Sequence, residues 1–259
     1  MSYVFNIPLN NNRKLTHVMR KVKTDVKLQT YWRCANVMAI DRMGFTDHGP
    51  THVKIVANLA LRLLRILVDK KVKPSIVKDY KMKNEDAEVV VVMGAILHDL
   101  GMTVTRNDHE KYGVLIAREV IENCLEHIYS DEERAVMSSE ILHAVVCHER
   151  PNNPLTIEAG IVGIADALDM EAGRARIPFQ SGKIDIHAVS ALSIEKVEIS
   201  EEGKKPITIK IRMSNSAGIF QIDELLKPRI ENSGLQQYFH VLAEITGERE
   251  ARIIDRFEI

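Results

Sequence analysis

Residues 84–101 read NEDAEVVVVMGAILHDLG. The apolar run predicts a helix from about Asn84 to Leu97 that leads straight into the pair His98-Asp99 and stops at Gly101. Adjacent His and Asp point in different directions on a helix. Both can still reach one divalent ion when the helix ends there and a glycine lets the chain turn away. Taken alone, such a pair is a weak signal whose ordinary explanation is a helix end with a polar cap, so its meaning depends on what else the chain brings to it.

Working outward, apolar residues recur at helical spacing from about Lys27 to Met170. Val53, Val56, Ala60, Leu63, Leu64 and Leu67 form one apolar stripe after His52, and Lys70 to Lys83, with Pro74, reads as an exposed connection. Glu110 to His127 and Glu132 to His148 predict two amphipathic helices joined near Ser130, a residue suited to an N-cap. Thr156 to Met170 is apolar on nearly every face and predicts a buried helix, in which Asp166 needs a partner. After Gly173 the texture changes. Lys196 to Ser200 and Ile207 to Met213 alternate and predict a β-hairpin about the turn 201–205, Ile222 to Ile245 returns to helical spacing, and Ala251 to Ile259 alternates again. The expected architecture is therefore mainly α: a helical domain over 1–180, with residues 1–26 as an N-terminal extension, and a small α+β unit over 181–259. The apolar face of Ile207, Ile209, Ile211 and Met213 must be covered by the following helix or by a second copy, so the small unit is a candidate for homodimerisation or regulation.

Composition limits the functions open to this fold. The 259 residues carry 35 Lys+Arg against 36 Asp+Glu, a balance that argues against a nucleic-acid or anionic-membrane surface. No stretch has the roughly 20 apolar residues of a membrane span, and Met1 to Asn12 lacks the order of a signal peptide, so a cytoplasmic location is expected. Three cysteines, Cys34, Cys124 and Cys147, are too scattered for a disulfide framework or a thiolate zinc site. The histidines are not scattered: seven of the ten lie between His48 and His148. His52 begins the first strong helix, with His48 one turn earlier; His109 opens another helix, and His148, followed by Glu149-Arg150, closes the next. Helices that each offer a ligand from one end describe a metal site in a bundle core. His17, His127, His187 and His240 lack such context, and His143 is left open. Mixed imidazole and carboxylate without thiolate suits Mn, Fe, Mg, Co or Ni better than a structural zinc.

The ordered set His52, His98-Asp99 and Asp166 resembles the HD superfamily of metal-dependent phosphohydrolases, over about Thr46 to Arg176. The resemblance implies that these positions hold one ion and that Asp99 bridges to a second. His109 in His-x-x-x-Gly and His148 before Glu149-Arg150 are similar to the further ligands of binuclear members, including the HD-GYP phosphodiesterases. His48 falls where some members place a third-metal ligand, and Asp169, Arg174 and Arg176 resemble the Asp and basic residues that follow the last ligand. Three departures stand out. Met102 occupies the place of a common Lys, Cys147 that of the first His of a His-His pair, and 151–154 lacks Gly-Tyr-Pro, which sets the chain apart from cyclic di-GMP hydrolases. The expected activity is hydrolysis of a nucleotide or other small phosphate ester by metal-activated water. Arg174, Arg176 and Arg150 are candidates to clamp the phosphate, although Arg174 and Arg176 could equally pair with Glu171 or Asp169. Asp99 is central to catalysis, and Glu149 and Asp169 are the candidates for protonating the leaving oxygen. The alternative is a metal- and nucleotide-binding regulator with little turnover.

Overall fold

The computed structural model describes residues 5–171 and 186–246, with backbone only for 186–188. The helical body consists of α1 (Arg13–Thr24), α2 (Val26–Asn36), α3 (Pro50–Asp69), α4 (Ser75–Tyr80), α5 (Asn84–Leu97), α6 (His109–Leu125), α7 (Asp131–Cys147) and α8 (Ile157–Leu168). The four Val residues, Met93 and Ile96 of α5 are all buried, because α3, α7 and α8, with α1, pack around this helix. Trp32 of α2 donates its indole N–H to the Ile96 carbonyl at 2.9 Å, which pins the last turn of α5 just before His98. The Ser130 hydroxyl accepts from the Glu133 amide and the Glu133 carboxylate accepts from the Ser130 amide, a reciprocal cap that starts α7.

Two stretches of the body differ from the sequence reading. Residues 1–26 are not simply an extension, since Leu15, Val18, Met19 and Val22 of α1 all lie in the main core. The connection 70–83 contains α4, whose first amides, Ser75 and Ile76, donate to the buried Glu158 carboxylate at 3.1 Å each. That cap comes from α8 and has no local signature.

Glu140 of α7 lies near this carboxylate, and burial, followed by the charges of Glu158 and Asp79, pushes its own carboxyl above the ordinary 4.5 despite a hydrogen bond from Tyr80. A raised folded-state value means the native protein holds a proton that the unfolded chain releases, so stability falls as pH rises from the unfolded value through the folded one. Glu140→Gln is therefore expected to melt above wild type at pH 8 and to match it near about pH 4. A variant melting below wild type at pH 8 would refute this sign.

The C-terminal part comprises α9 (Ile186–Leu192), β1 (Ile194–Ser200), β2 (Ile207–Met213), a helical run over 219–232 (α10) and β3 (Phe239–Ile245). β1 and β2 form the expected antiparallel pair, with Val197 opposite Ile211 and Ile199 opposite Ile209. The helical spacing read over 222–245 is only half right: helix ends at Asn232, and β3 joins β2 in parallel, with Ile207 beside Phe239. Tyr238, Val241, Leu242 and Ile245 satisfy a helical period, while Phe239, Val241, Ala243 and Ile245 satisfy a strand period, and the break at Gly234 (φ +69°) decides between them. The apolar face of β2 is buried within the one chain, with Ile207, Ile209, Ile211 and Met213 all in the main core. Residues 251–259, read as alternating, lie outside the described residues.

Candidate metal centre

The ends of five helices converge on one point of the body. α5 and α7 finish there, with His98 and His148 as their C-cap residues, so both contribute the partial negative charge of a helix C-terminus. α3 brings His52 in its first turn, α6 opens with His109, and α8 brings Asp166 near its end. Gly101 does more than turn the chain away. A Cβ there would lie 1.8 Å from the His109 carbonyl oxygen and 2.6 Å from the Gly113 amide nitrogen, so this glycine lets the first turns of α6 press against the His98-Asp99 segment.

Each imidazole has its Nδ1 tied off. Nδ1–H of His98 donates to the Ala95 carbonyl at 2.7 Å, that of His148 to the Val145 carbonyl at 2.6 Å, and that of His52 to Asp169 Oδ2 at 2.6 Å. His109 Nδ1 lies 3.0 Å from the Arg106 carbonyl oxygen, with the Arg106 guanidinium 2.9 Å away on the same atom. A carbonyl or carboxylate oxygen can only accept, so in His52, His98 and His148 the proton sits on Nδ1 and the Nε2 lone pair is left facing the centre, whereas the Nδ1 of His109 faces both an accepting carbonyl and a donating guanidinium.

There the Nε2 atoms fall into two sets. His52 and His98 face each other at 3.1 Å, and His52 Nε2 is 3.3 Å from Asp99 Oδ2 and 3.2 Å from Asp166 Oδ1. His109 and His148 also face each other at 3.1 Å, with Asp99 Oδ1 at 3.4 Å and 3.8 Å. The two oxygens of Asp99 thus look into different sets. Donor atoms of His52, His98 and Asp166, of His98, Asp99 and His148, and of His109, His148 and Glu149 lie within 4.8 Å of one another in each group.

These residues fit divalent cations. Two acceptor nitrogens at 3.1 Å repel unless a cation lies between or beside them, and Asp99 Oδ2, fully buried, accepts no hydrogen bond from any described residue. Burial pushes the Asp99 carboxyl up, but the imidazoles around it, His98 and His48 first and then His109 and His52, hold it well below the usual range. Burial likewise opposes ionisation of Asp166, and the neighbouring His52 ring with the charge of Arg229 overrides it. Burial and the neighbouring His98 and His109 drive His148 well below its ordinary value, which keeps its imidazole neutral. His109 goes the other way, because Asp99 more than offsets the effect of burial. Ionised carboxylates and neutral imidazoles are the forms that bind metal.

Other residues singled out from sequence take different places. Asp169 holds the far nitrogen of His52, so it orients that ring and does not face the centre. His48 stands beside His52, ring centroids 5.8 Å apart, with its Nδ1 on the Thr46 carbonyl, and it belongs to none of the three donor groups. Glu149 lies at the open side, within 3.4 Å of an Arg229 nitrogen. The Arg150 guanidinium is exposed and donates to the Glu224 carbonyl at 3.0 Å, and Arg150 lines a cavity with His148, Glu149 and Arg229. Arg174 and Arg176 lie outside the described residues. His143 is taken up locally, its Nε2 accepting the Leu155 amide at 3.0 Å, and His127 is exposed. Met102 is fully buried against Ala35, Ala39, Met43 and Phe45, so the position of the common Lys points into apolar packing. Two cations were not foreseen. Arg106 reaches from the loop before α6, and Arg229 from α10; the former stands three residues before His109, whereas nothing in the sequence near Arg229 ties it to Asp166.

A helical bundle whose ends bring paired imidazoles and two buried carboxylates to one point could hold divalent metal there. Residues 50–171 match the HD domain family. An uncharacterized protein of Methanocaldococcus jannaschii is 45% identical over 223 residues, covering 86% of this chain and 86% of its own. The chain belongs to the HD-domain superfamily of metal-dependent phosphohydrolases. No described helix is long and apolar enough to cross a membrane.

Proposed function

We propose that this protein is a binuclear metal-dependent phosphohydrolase or phosphodiesterase acting on a nucleotide or other small phosphate ester. The observation that carries the reading is Asp99, whose two oxygens face two separate imidazole pairs. His52, His98, Asp166 and Asp99 Oδ2 would hold one divalent ion, and His109, His148 and Asp99 Oδ1 the other, with Glu149 as a further donor. Ions bound there would supply Lewis acidity toward phosphoryl oxygens and a water acidic enough to attack phosphorus near neutral pH.

The protein's own groups do the rest. The Nδ1 partners fix each ring so that its lone pair needs no reorganisation, Asp169 doing so for His52. The two helix C-termini and the carboxylates set a negative field that favours cations. Arg106, partly exposed beside Glu149, is placed to meet the charge of an entering phosphate. Of the two proton-donor candidates, Asp169 is occupied by His52 and Glu149 is paired with Arg229 at 3.4 Å, so neither is singled out for protonating the leaving oxygen.

A second reading, a nucleotide-sensing regulator with little turnover, is favoured by one observation: the buried, apolar Met102 leaves no cation at a position where many family members carry a Lys. Metal analysis of purified protein followed by assays with Mn²⁺, Fe²⁺ or Mg²⁺ on bis(p-nitrophenyl) phosphate, p-nitrophenyl phosphate and nucleotides separates the two. Hydrolysis that a chelator stops and metal restores is expected. Bound metal with no hydrolysis of any substrate would favour the regulator, and absence of metal would remove both readings.

A further inference from the structure

We propose that Arg229, carried by the C-terminal α+β part, is a positioning residue of the metal centre: it turns the Asp166 carboxylate so that Oδ1 faces His52 and His98. The inference rests on the metal-centre reading for its consequence, but not for the contact itself.

The geometry is that of a fork closed on three sides. Arg229 Nη2 lies 3.2 Å from Asp166 Oδ2 and 3.4 Å from Glu149 Oε2, Nε donates to the His148 carbonyl at 3.2 Å, and Nη1 donates to the Leu225 carbonyl at 3.4 Å. The side chain is only 10% exposed. It therefore touches the last carboxylate of one donor set and two residues of the other, His148 and Glu149. Asp166 offers Oδ1 to His52 Nε2 at 3.2 Å while its Oδ2 is held by the guanidinium, so the arginine contact keeps Oδ2 on the side away from the imidazole pair. With its donors on carbonyl and carboxylate groups, Arg229 is placed to orient ligands and not to grip substrate.

An independent feature of α8 brings Arg229 within reach. Gly160, Gly163 and Asp166 follow one another at three-residue spacing and so lie along one face of the helix. A Cβ on Gly160 would come within 3.0 Å of Ser233 Cβ and 3.1 Å of Leu235 Cδ1, and one on Gly163 would lie 3.5 Å from the His148 carbonyl oxygen. The chain just beyond Arg229 is thus seated on α8 where a side chain is missing.

The sign of the effect on metal binding separates positioning from charge. A guanidinium acting only as a competing cation weakens metal binding, so its removal would tighten it. A positioning residue does the reverse. Titration of full-length protein with Mn²⁺ is expected to show Arg229→Ala binding about 10- to 100-fold more weakly, Arg229→Lys recovering part of that loss, and Co²⁺ in Arg229→Ala giving a changed visible spectrum. Gly160→Val, which keeps the arginine but pushes its segment away, is expected to weaken Mn²⁺ binding in the same direction. Equal or tighter binding by folded Arg229→Ala overturns the proposal. In chelator, a melting cycle of Arg229→Ala, Asp166→Asn and the double variant tests the contact without metal: the two shifts are expected not to add. Additive shifts overturn the contact, even if the wild type binds no Mn²⁺, a result that would count separately against the metal reading.

Discussion

Asp99→Asn is expected to remove bound divalent ions and phosphate-ester hydrolysis together, with activity falling about 10³-fold or more, equivalent to about 4 kcal/mol of barrier. The substitution conserves shape, but it removes the charge and replaces one of the two oxygens with an amide that cannot ligate. Each imidazole pair then loses the carboxylate it shares with the other. Metal-free stability should fall as well: the surrounding imidazoles, which hold the Asp99 carboxyl well below its usual range, favour the folded chain at neutral pH, so Asp99→Asn should melt below wild type in chelator at about pH 7. With metal at 100 times its dissociation constant the wild type gains about 2.7 kcal/mol per site, which for a chain of this length raises the melting temperature by about 5–10 °C. The variant should show almost none of that rise. A variant that keeps wild-type metal stoichiometry would end the bridging role assigned to Asp99.

The second large effect is expected at Gly101. In Gly101→Ala the added Cβ would meet the His109 carbonyl oxygen at 1.8 Å, and its next neighbours are also backbone atoms, which cannot turn aside as a side chain can. α6 must retreat from the His98-Asp99 segment. Overpacking of this severity costs about 3 kcal/mol or more, a fall of about 6–12 °C in melting temperature. Where the variant folds, metal analysis should show the set built on His109 emptied before the set built on His52, since α6 carries only the former. A melting temperature within about 2 °C of wild type would show that α6 is not held against Gly101 in this way.

The parts of this structure that were legible in the sequence are those written locally. A dense apolar run ending in His98-Asp99 announces a buried helix that stops at a ligand pair. Ser130 announces its cap, and the unbroken apolar face of α8 makes Asp166 conspicuous. The signal fails wherever two distant segments decide an outcome together. Glu158 caps α4 across 82 residues of chain, and Arg229 meets Asp166 across 63. Residues 1–26 read as an extension although the buried face of α1 belongs to the core. β3 is ambiguous for a different reason, because seven residues are too few to separate a period of 2 from one of 3.6 when both fit. Arg150 and Asp169 show the limit for function: residue type and order named both as site residues, but only the geometry turned Arg150 toward α10 and Asp169 onto His52.

Three of the four imidazoles draw their orienting bond from the carbonyl three residues upstream, at Ala95, Arg106 and Val145, and only His52 relies on a partner far away in the chain. The ring orientations are thus set mostly within one turn of chain before each imidazole. The short stretches flanking the site carry parts of it as well: Arg106, in the loop before α6, holds the His109 ring, and Glu149 follows α7 directly after His148. A substitution at Arg106 would therefore reach the His109 ring as well as any phosphate that enters beside it.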